Sequence, residues 1–177
     1  MVEKIRRVVT GHDENGKAVF ISDGDATAVK EMESMPGLAI TDLWRAAAVP
    51  TSNAGNDDSA YTDVVLLPPT GGVVFRVVEF PPDSQWRGQA DGKEAFASIG
   101  AEDAQDHDSD DPMRHRTDTV DFLMVLKGEI IAVLDDGARV TLSQGDTFIQ
   151  RGTIHSWEVP GDEPCLLGAV LVDAEPI

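Results

Sequence analysis

Residues 113–128, MRHRTDTVDFLMVLKG, have the alternation of an extended strand with two different faces. Side chains in a strand point alternately to opposite faces with a period of two. One face carries His115, Thr117, Thr119, Asp121, Leu123 and Val125, and the other carries Arg114, Arg116, Asp118 and Phe122. The first face begins polar and ends aliphatic. This predicts a polar patch at one end of a hydrophobic interior, which is either a functional site or a buried polar network.

Short strands separated by turn residues continue on the C-terminal side of this segment. Asp135-Asp136-Gly137 predicts a hairpin between residues 129–134 and 139–142, because Asp-Gly tolerates the positive φ of a type I′ turn. Residues 165–172, CLLGAVLV, are too continuously apolar for an edge strand and predict a central one. This spacing favours an all-β sandwich or barrel with little helix.

On the N-terminal side, strands are predicted at residues 3–9, 17–22 and 38–44, and a long turn-rich loop at residues 46–62. Residues 73–80, VVFRVVEF, form the strand that feeds the first segment, and each of its faces carries one charge. Either Arg76 or Glu79 therefore points inward, where Arg76 would suit a substrate carboxylate or phenolate. A charged residue at the rim, or paired with a subunit neighbour, is the alternative.

The segment between these two strands combines a helical and an acidic stretch. Residues 89–100 predict a short helix, since Asp91 and Glu94 resemble a capping box and Gly100 provides a stop. Residues 101–111 are rich in aspartate and predict an exposed or disordered loop.

Length and charge limit the kinds of partner. A chain of 177 residues is expected to form one domain, with residues 1–62 packing on or completing a barrel of residues 63–177. The net charge of −18 argues against nucleic acid and membrane surfaces as partners, which leaves a small molecule or another copy of the chain. One cysteine, Cys165, and the lack of a signal-like or membrane-spanning run predict a cytoplasmic protein.

Two stretches together resemble the paired motifs of the cupin superfamily. The first motif usually has the form H-x-H, three or four residues, E, six residues, G. Here His115, Thr117, Asp121 and Gly128 occupy these positions, with Thr117 in place of the second histidine and Asp121 in place of the glutamate.

The second motif is matched by residues 145–155, GDTFIQRGTIH, which end at His155 and carry Gln150 where a proline is usual. The resemblance covers residues 113–172. It implies an all-β, cupin-type antiparallel β-barrel, jelly-roll-like, with one or two short helices.

The resemblance also implies a site. His115, Asp121 and His155 match the metal-ligand positions of the family, and two imidazoles with one carboxylate suit Fe(II) above all, with Mn, Ni, Co or Zn as alternatives. A metal-free acid–base site is the competing interpretation, in which Asp121 fixes the tautomer of a histidine. An inert buried polar network is the third.

We therefore expect a small-molecule enzyme with His115, Asp121 and His155 as catalytic residues. The family implies dioxygenase, decarboxylase, lyase or isomerase chemistry on an aromatic, carbonyl or carboxylate substrate, and a ligand-binding protein without turnover is the alternative. The predicted substrate-binding residues are Arg76, Thr117, Gln150 and Trp157. The family's habit and the apolar N-terminal strands predict a homodimer.

Overall fold

The computed structural model describes residues 2–60 and 63–177. Within these ranges the chain forms eleven strands: β1 (Arg6–His12), β2 (Ala18–Asp25), β3 (Ala28–Glu31), β4 (Ala39–Ala46), β5 (Val73–Phe80), β6 (Thr119–Lys127), β7 (Glu129–Val133), β8 (Arg139–Ser143), β9 (Thr147–Arg151), β10 (Ser156–Glu158) and β11 (Cys165–Asp173). It also forms one α-helix, α1 (Gly92–Ala97), and short 3₁₀ turns at Asp83–Gln85, Glu102–Ala104 and Asp135–Gly137. No helix in the described ranges has the length and apolar character needed to span a bilayer.

The strands pair antiparallel in three sheets: β1-β2, β10-β7-β8 and β3-β4-β5-β11-β6-β9. The six-stranded and three-stranded sheets share one hydrophobic core, in which Val125 and Leu167 of the larger sheet cluster with Ile130 and Trp157 of the smaller one. This confirms the antiparallel all-β prediction. β11 lies between β5 and β6, so its continuously apolar sequence does mark a central strand.

β6 has the two faces that its sequence predicts. The buried residues are Thr119, Asp121, Leu123 and Val125, and the exposed ones are Phe122, Met124 and Leu126. The strand itself begins at Thr119, later than the predicted segment. His115 lies ahead of it and pairs through single bridges with Gln105 and His155.

The N-terminal strands are divided between two places. β1 and β2 confirm the predicted hairpin and form their own two-stranded sheet. β4 confirms the strand predicted at residues 38–44, and β3 with β4 extends the six-stranded sheet beyond β5. Residues 47–60 contain no helix or strand, in agreement with the predicted loop, whose last residues, Tyr61 and Thr62, lie outside the described residues.

The connection between β5 and β6 contains a short helix followed by an acidic segment. The predicted capping is present, since the Asp91 side chain accepts a hydrogen bond from the Glu94 backbone N at 3.1 Å, although α1 is shorter than predicted. The acidic segment 101–111 is held by backbone hydrogen bonds, among them Arg116 N to Ala104 O at 2.9 Å. Apart from a 3₁₀ turn at Glu102–Ala104, this segment contains no α-helix or strand, in agreement with the predicted loop, and it pairs with the chain at His115.

Gly128, the last residue of the first motif, has a packing role. Its φ is 79°, and a Cβ at this position would lie 2.8 Å from the carbonyl oxygen of Pro164. Only glycine accepts both the positive φ and the close backbone approach. The residue therefore lets the end of β6 pass the chain that enters β11.

Candidate active site

An apolar cavity of about 100 Å³ lies against the inner face of the six-stranded sheet. Its apolar walls are Met32, Leu38, Ile40, Leu66, Val78, Phe80, Ala95, Phe96, Ile99, Met113, Leu123, Trp157, Leu167, Ala169 and Leu171. Its polar lining consists of Arg76, His115, Asp121 and His155. The three predicted catalytic residues, together with Arg76 and Trp157, therefore line one cavity.

His115 and His155 are joined through their backbones. The N–H of each donates to the carbonyl oxygen of the other, with both N···O distances at 2.9 Å. This two-way bridge places the two side chains next to each other, with ring centroids 4.3 Å apart. The two motifs thus meet at their histidines.

The two imidazoles are oriented in the same way by local carbonyl groups. Nδ1 of His115 lies 2.8 Å from Met113 O, and Nδ1 of His155 lies 3.0 Å from Thr153 O. Because a carbonyl oxygen only accepts, each Nδ1 carries the proton and each Nε2 has a free lone pair. Nε2 is therefore the ring nitrogen that each histidine offers to a ligand.

The surroundings of the two rings are largely apolar. The Phe96 ring lies 5.0 Å from the His115 ring, and the Trp157 ring meets His155 edge-on at 5.6 Å. Burial lowers the pKa of both imidazoles, and that of His155 falls to about 3 because His115 acts in the same direction. Both histidines are therefore neutral at physiological pH.

Asp121 brings a carboxyl group into this cavity from β6. It is 6% exposed, and its Oδ1 atom is buried without a hydrogen-bond partner. Burial raises its pKa to about 6, although the Thr119 side chain and the positive charge of Arg76 both act to lower it. Asp121 is thus an acceptor-rich group with a pKa close to neutrality.

The donor set does not fit the three-ligand metal centre that the resemblance implies. In the part of the chain that the structure describes, no three His, Cys, Asp or Glu side chains are grouped so as to hold a metal ion. The strand pairing explains this, since Asp121 faces Gln150 across β6 and β9, whereas His115 and His155 face each other on a separate bridge. Two imidazoles alone fall short of the three protein ligands usual in such sites.

Arg76, not Glu79, points to the interior. Its Nε forms an ion pair with Asp42 Oδ1 at 2.9 Å, and its other two nitrogens donate to Leu66 O at 3.0 Å and to Val65 O at 2.7 Å. Nη1 and Nη2 are thus hydrogen-bonded within the protein, whereas Nε is in ion-pair contact with Asp42 without a hydrogen bond. Arg76 therefore lines the cavity as a member of a buried ion pair, and its guanidinium group is not available for bidentate binding of a substrate carboxylate.

Gln150 and Thr117, two of the predicted substrate-binding residues, lie outside the cavity lining. The Thr117 hydroxyl pairs with that of Thr119 at 2.7 Å. Gln150 is buried, and its Nε2 donates to Thr153 O at 3.1 Å and contacts the Thr153 hydroxyl. Because Thr153 O also accepts from Nδ1 of His155, Gln150 supports the carbonyl group that orients the imidazole.

Sequence reasoning missed two parts of the site. Asp42, the partner of Arg76, is fully buried on β4. Its position as the one acidic residue in the otherwise mostly apolar segment LAITDLW could have indicated a buried, paired carboxylate. Phe96 of α1 covers His115, and its position in the apolar stripe of the predicted helix gave no indication of this contact. Both contacts depend on how distant elements pack.

Comparisons with known proteins agree on the family. The family model described as "Cupin domain" matches residues 102–172. "Phomopsin biosynthesis cluster protein C'" of Diaporthe leptostromiformis is 30% identical over 156 residues, which cover 85% of this chain and 68% of that protein. "Cupin-domain-containing oxidoreductase srdB" of Neurospora crassa is 27% identical, with 97% of this chain and 74% of that protein covered.

Among solved structures, the Cnp3 cupin domain of Schizosaccharomyces pombe is similar with a TM-score of 0.47 and 12% sequence identity. The alignment covers 97% of this chain and 89% of that domain.

Proposed function

The chain belongs to the cupin superfamily, and from this premise we propose that it is a small-molecule enzyme that transfers protons within the cavity lined by His115, Asp121 and His155. The substrate is a small, mostly apolar molecule with a hydroxyl group. Asp121 is the group that removes and returns the proton, and the two imidazoles hold the substrate.

One observation carries this proposal. The Asp121 side chain, which has a buried oxygen atom without a partner, lines an apolar cavity together with two imidazoles. The Nδ1 protons of both imidazoles are fixed on backbone carbonyls. Oδ1 of Asp121 is that oxygen, and His115 and His155 supply the lone pairs. Buried polar atoms in folded proteins nearly always have partners. Because Asp121 lines the cavity, a ligand group is the natural partner for its carboxyl group.

The division of roles follows from acidity. A general base works best when its pKa lies near the working pH, and burial raises the pKa of Asp121 to about 6. The pKa of His155, lowered to about 3 by burial and by His115, makes this imidazole a weak base but a good neutral acceptor. The apolar walls exclude water, which strengthens both interactions.

Hydrogen–deuterium exchange tests the proposal. Small hydroxyketones and hydroxyaromatic compounds are incubated with the protein in D₂O, and exchange of carbon-bound protons is followed by NMR. We expect exchange that Asp121→Asn abolishes and that Asp118→Asn, which removes an exposed carboxylate three positions away, leaves unchanged. Exchange that stops on chelation and returns with Fe(II) would instead support a metal-dependent enzyme.

A second candidate is oxidoreductase chemistry, which the names of similar proteins favour. Proteins of Neurospora crassa, Hypocrea virens and Aspergillus ruber that align with 88–97% of this chain are named cupin-domain-containing oxidoreductases. Oxidation of an alcohol would pass a hydride to an external acceptor, O₂ or a nicotinamide, and release the hydroxyl proton, which Asp121 would accept. Oxygen consumption or a change in nicotinamide absorbance with a hydroxylated substrate distinguishes this candidate from pure proton transfer.

A further inference from the structure

We propose that the cavity selects an uncharged, ring-sized apolar molecule whose hydroxyl group donates to the carboxyl group of Asp121, and that it discriminates against carboxylates. This inference deepens the proposed function and rests on the same cavity, but it concerns binding and is tested without turnover. It departs from the role that the sequence predicts for Arg76, which was to receive a substrate anion.

The polar end of the cavity consists of hydrogen-bond acceptors. Asp121 Oδ1 is buried without a partner, and Nε2 of His115 and of His155 each carry a lone pair because Nδ1 holds the proton. An acceptor left unpaired in an apolar interior is costly. A ligand that donates a hydrogen bond removes this cost, and a hydroxyl group is the smallest oxygen group that does so.

The cationic residue of the cavity is not available to an anion. Each nitrogen of Arg76 already contacts Asp42 or one of two backbone carbonyls. Asp42 forms the ion pair with this guanidinium and also accepts from Arg45 Nη1 at 3.1 Å. A carboxylate entering the cavity would meet Asp121 and neutral imidazoles while Arg76 is already engaged by the protein, and desolvation would oppose its binding.

The walls set the size and character of the rest of the ligand. Phe80, Phe96 and Trp157 contribute aromatic surface, and the cavity volume is about 100 Å³. An engineered apolar cavity of about 150 Å³ binds benzene in another protein. A single aromatic ring, or an aliphatic group of similar size, is therefore the largest body that the cavity accepts without rearrangement.

Three probes of nearly equal size separate the contributions that a hydroxyl group, a methyl group and a negative charge make to binding. Phenol donates a hydrogen bond, toluene replaces the hydroxyl with a methyl group, and benzoate replaces it with a charge. Binding to the purified protein is measured by calorimetry, with the fluorescence of Trp157 and the other tryptophans as a second readout. We expect phenol to bind about tenfold more tightly than toluene, equivalent to one hydrogen bond, and benzoate to bind most weakly.

Variants test whether Asp121 causes the preference for phenol over toluene. Asp121→Leu should reduce the phenol-to-toluene ratio to about one, and Asp121→Asn, which keeps an amide oxygen of the same size, should retain part of it. Asp118→Asn should match the wild type. Circular dichroism shows whether each variant folds, and the Asn variant keeps the test valid if the Leu variant does not.

Several results would overturn the inference: equal binding of phenol and toluene by the wild type, tightest binding of benzoate, or no binding of any probe at millimolar concentration. A different result would contradict the proposed function while leaving this inference intact. If the phenol preference depends on Asp121 but no carbon-bound proton exchanges with any substrate, the cavity binds the proposed ligand class without catalysing proton transfer.

Discussion

His115 and His155 exchange backbone hydrogen bonds in both directions at 2.9 Å, so that each histidine fixes the position of the other. The bridge joins segments that are 40 positions apart in the sequence and brings their rings to 4.3 Å. Because the bridge uses backbone atoms only, it does not depend on the imidazole side chains.

Replacement of either imidazole should therefore affect function more than folding. We expect His155→Phe and His115→Phe each to lower turnover at least tenfold, since each removes one acceptor for the substrate, while the far-UV circular dichroism remains that of the wild type. His107→Phe, which changes an exposed histidine of the acidic segment, is the matched control. Full activity in both cavity variants would contradict the assigned site.

The pH dependence of stability should reveal the buried carboxyl group. The pKa of Asp121 is raised from 3.8 to about 6, so the folded state binds more protons than the unfolded chain between these values. Its contribution to the free energy of unfolding then falls as pH rises through this window and is lowest above pH 6. The full difference is on the order of 3 kcal/mol.

Asp121→Asn removes this titration. The free energy of unfolding of the variant relative to the wild type should rise by about 2 kcal/mol between pH 4 and pH 7, as measured by urea denaturation. His155, whose pKa is lowered to about 3, contributes a slope of opposite sign in both proteins and cancels in the comparison. A constant difference across this range would show that the Asp121 pKa is not raised, and Asp118→Asn controls for the loss of one charge.

The sequence was a good guide wherever a local pattern determines the structure. The alternation along β6 identified Asp121 and Leu123 as buried and Phe122 as exposed, because the period of a strand is set by the backbone. The continuous apolar run of β11 identified a central strand, which lies between β5 and β6.

These local patterns could not predict contacts between strands that are distant in the sequence. Asp42 lies opposite Arg76 because β4 pairs with β5 in one particular register, and neither sequence shows that register. Without it, Arg76 looked like a free anion-binding residue. The resemblance brought His115 and His155 together correctly, yet the substitution of Thr117 and Asp121 for the usual ligands leaves a cavity whose donor set does not form a metal cluster.

The buried ion pair should be a large contributor to stability. Asp42 has no exposed surface and pairs with two guanidinium groups, Arg76 and Arg45. Asp42→Asn leaves the buried Arg76 guanidinium without its counter-charge and should cost about 3–5 kcal/mol. Arg76→Met should cost less, because Arg45 still pairs with Asp42. Urea denaturation measures both, and Asp23→Asn at the exposed pair with Arg6 is the control that should show little change. A cost for Asp42→Asn no larger than that of the control would contradict this account.

The outer face of the six-stranded sheet should bind a second copy of the chain. A row of neighbouring apolar residues crosses four strands, through Phe75, Val170, Phe122 and Ile149, and the Phe122 side chain is 52% exposed. Large contiguous apolar patches are unusual on monomers. In a chain of net charge −18, a face with an apolar row is where two copies approach with least repulsion, and a two-fold axis lets the same row serve both subunits.

Light scattering tests this homodimer at micromolar protein concentration. We expect a mass near twice that of one chain, and Phe122→Glu should convert the protein to a monomer by placing a charge in the row. Val140→Glu is the matched control. Val140, like Phe122, is an exposed apolar residue on a strand, but its strand, β8, belongs to the three-stranded sheet. The control should remain dimeric. A wild-type monomer, or equal dissociation by the two variants, would show that this face is not the interface.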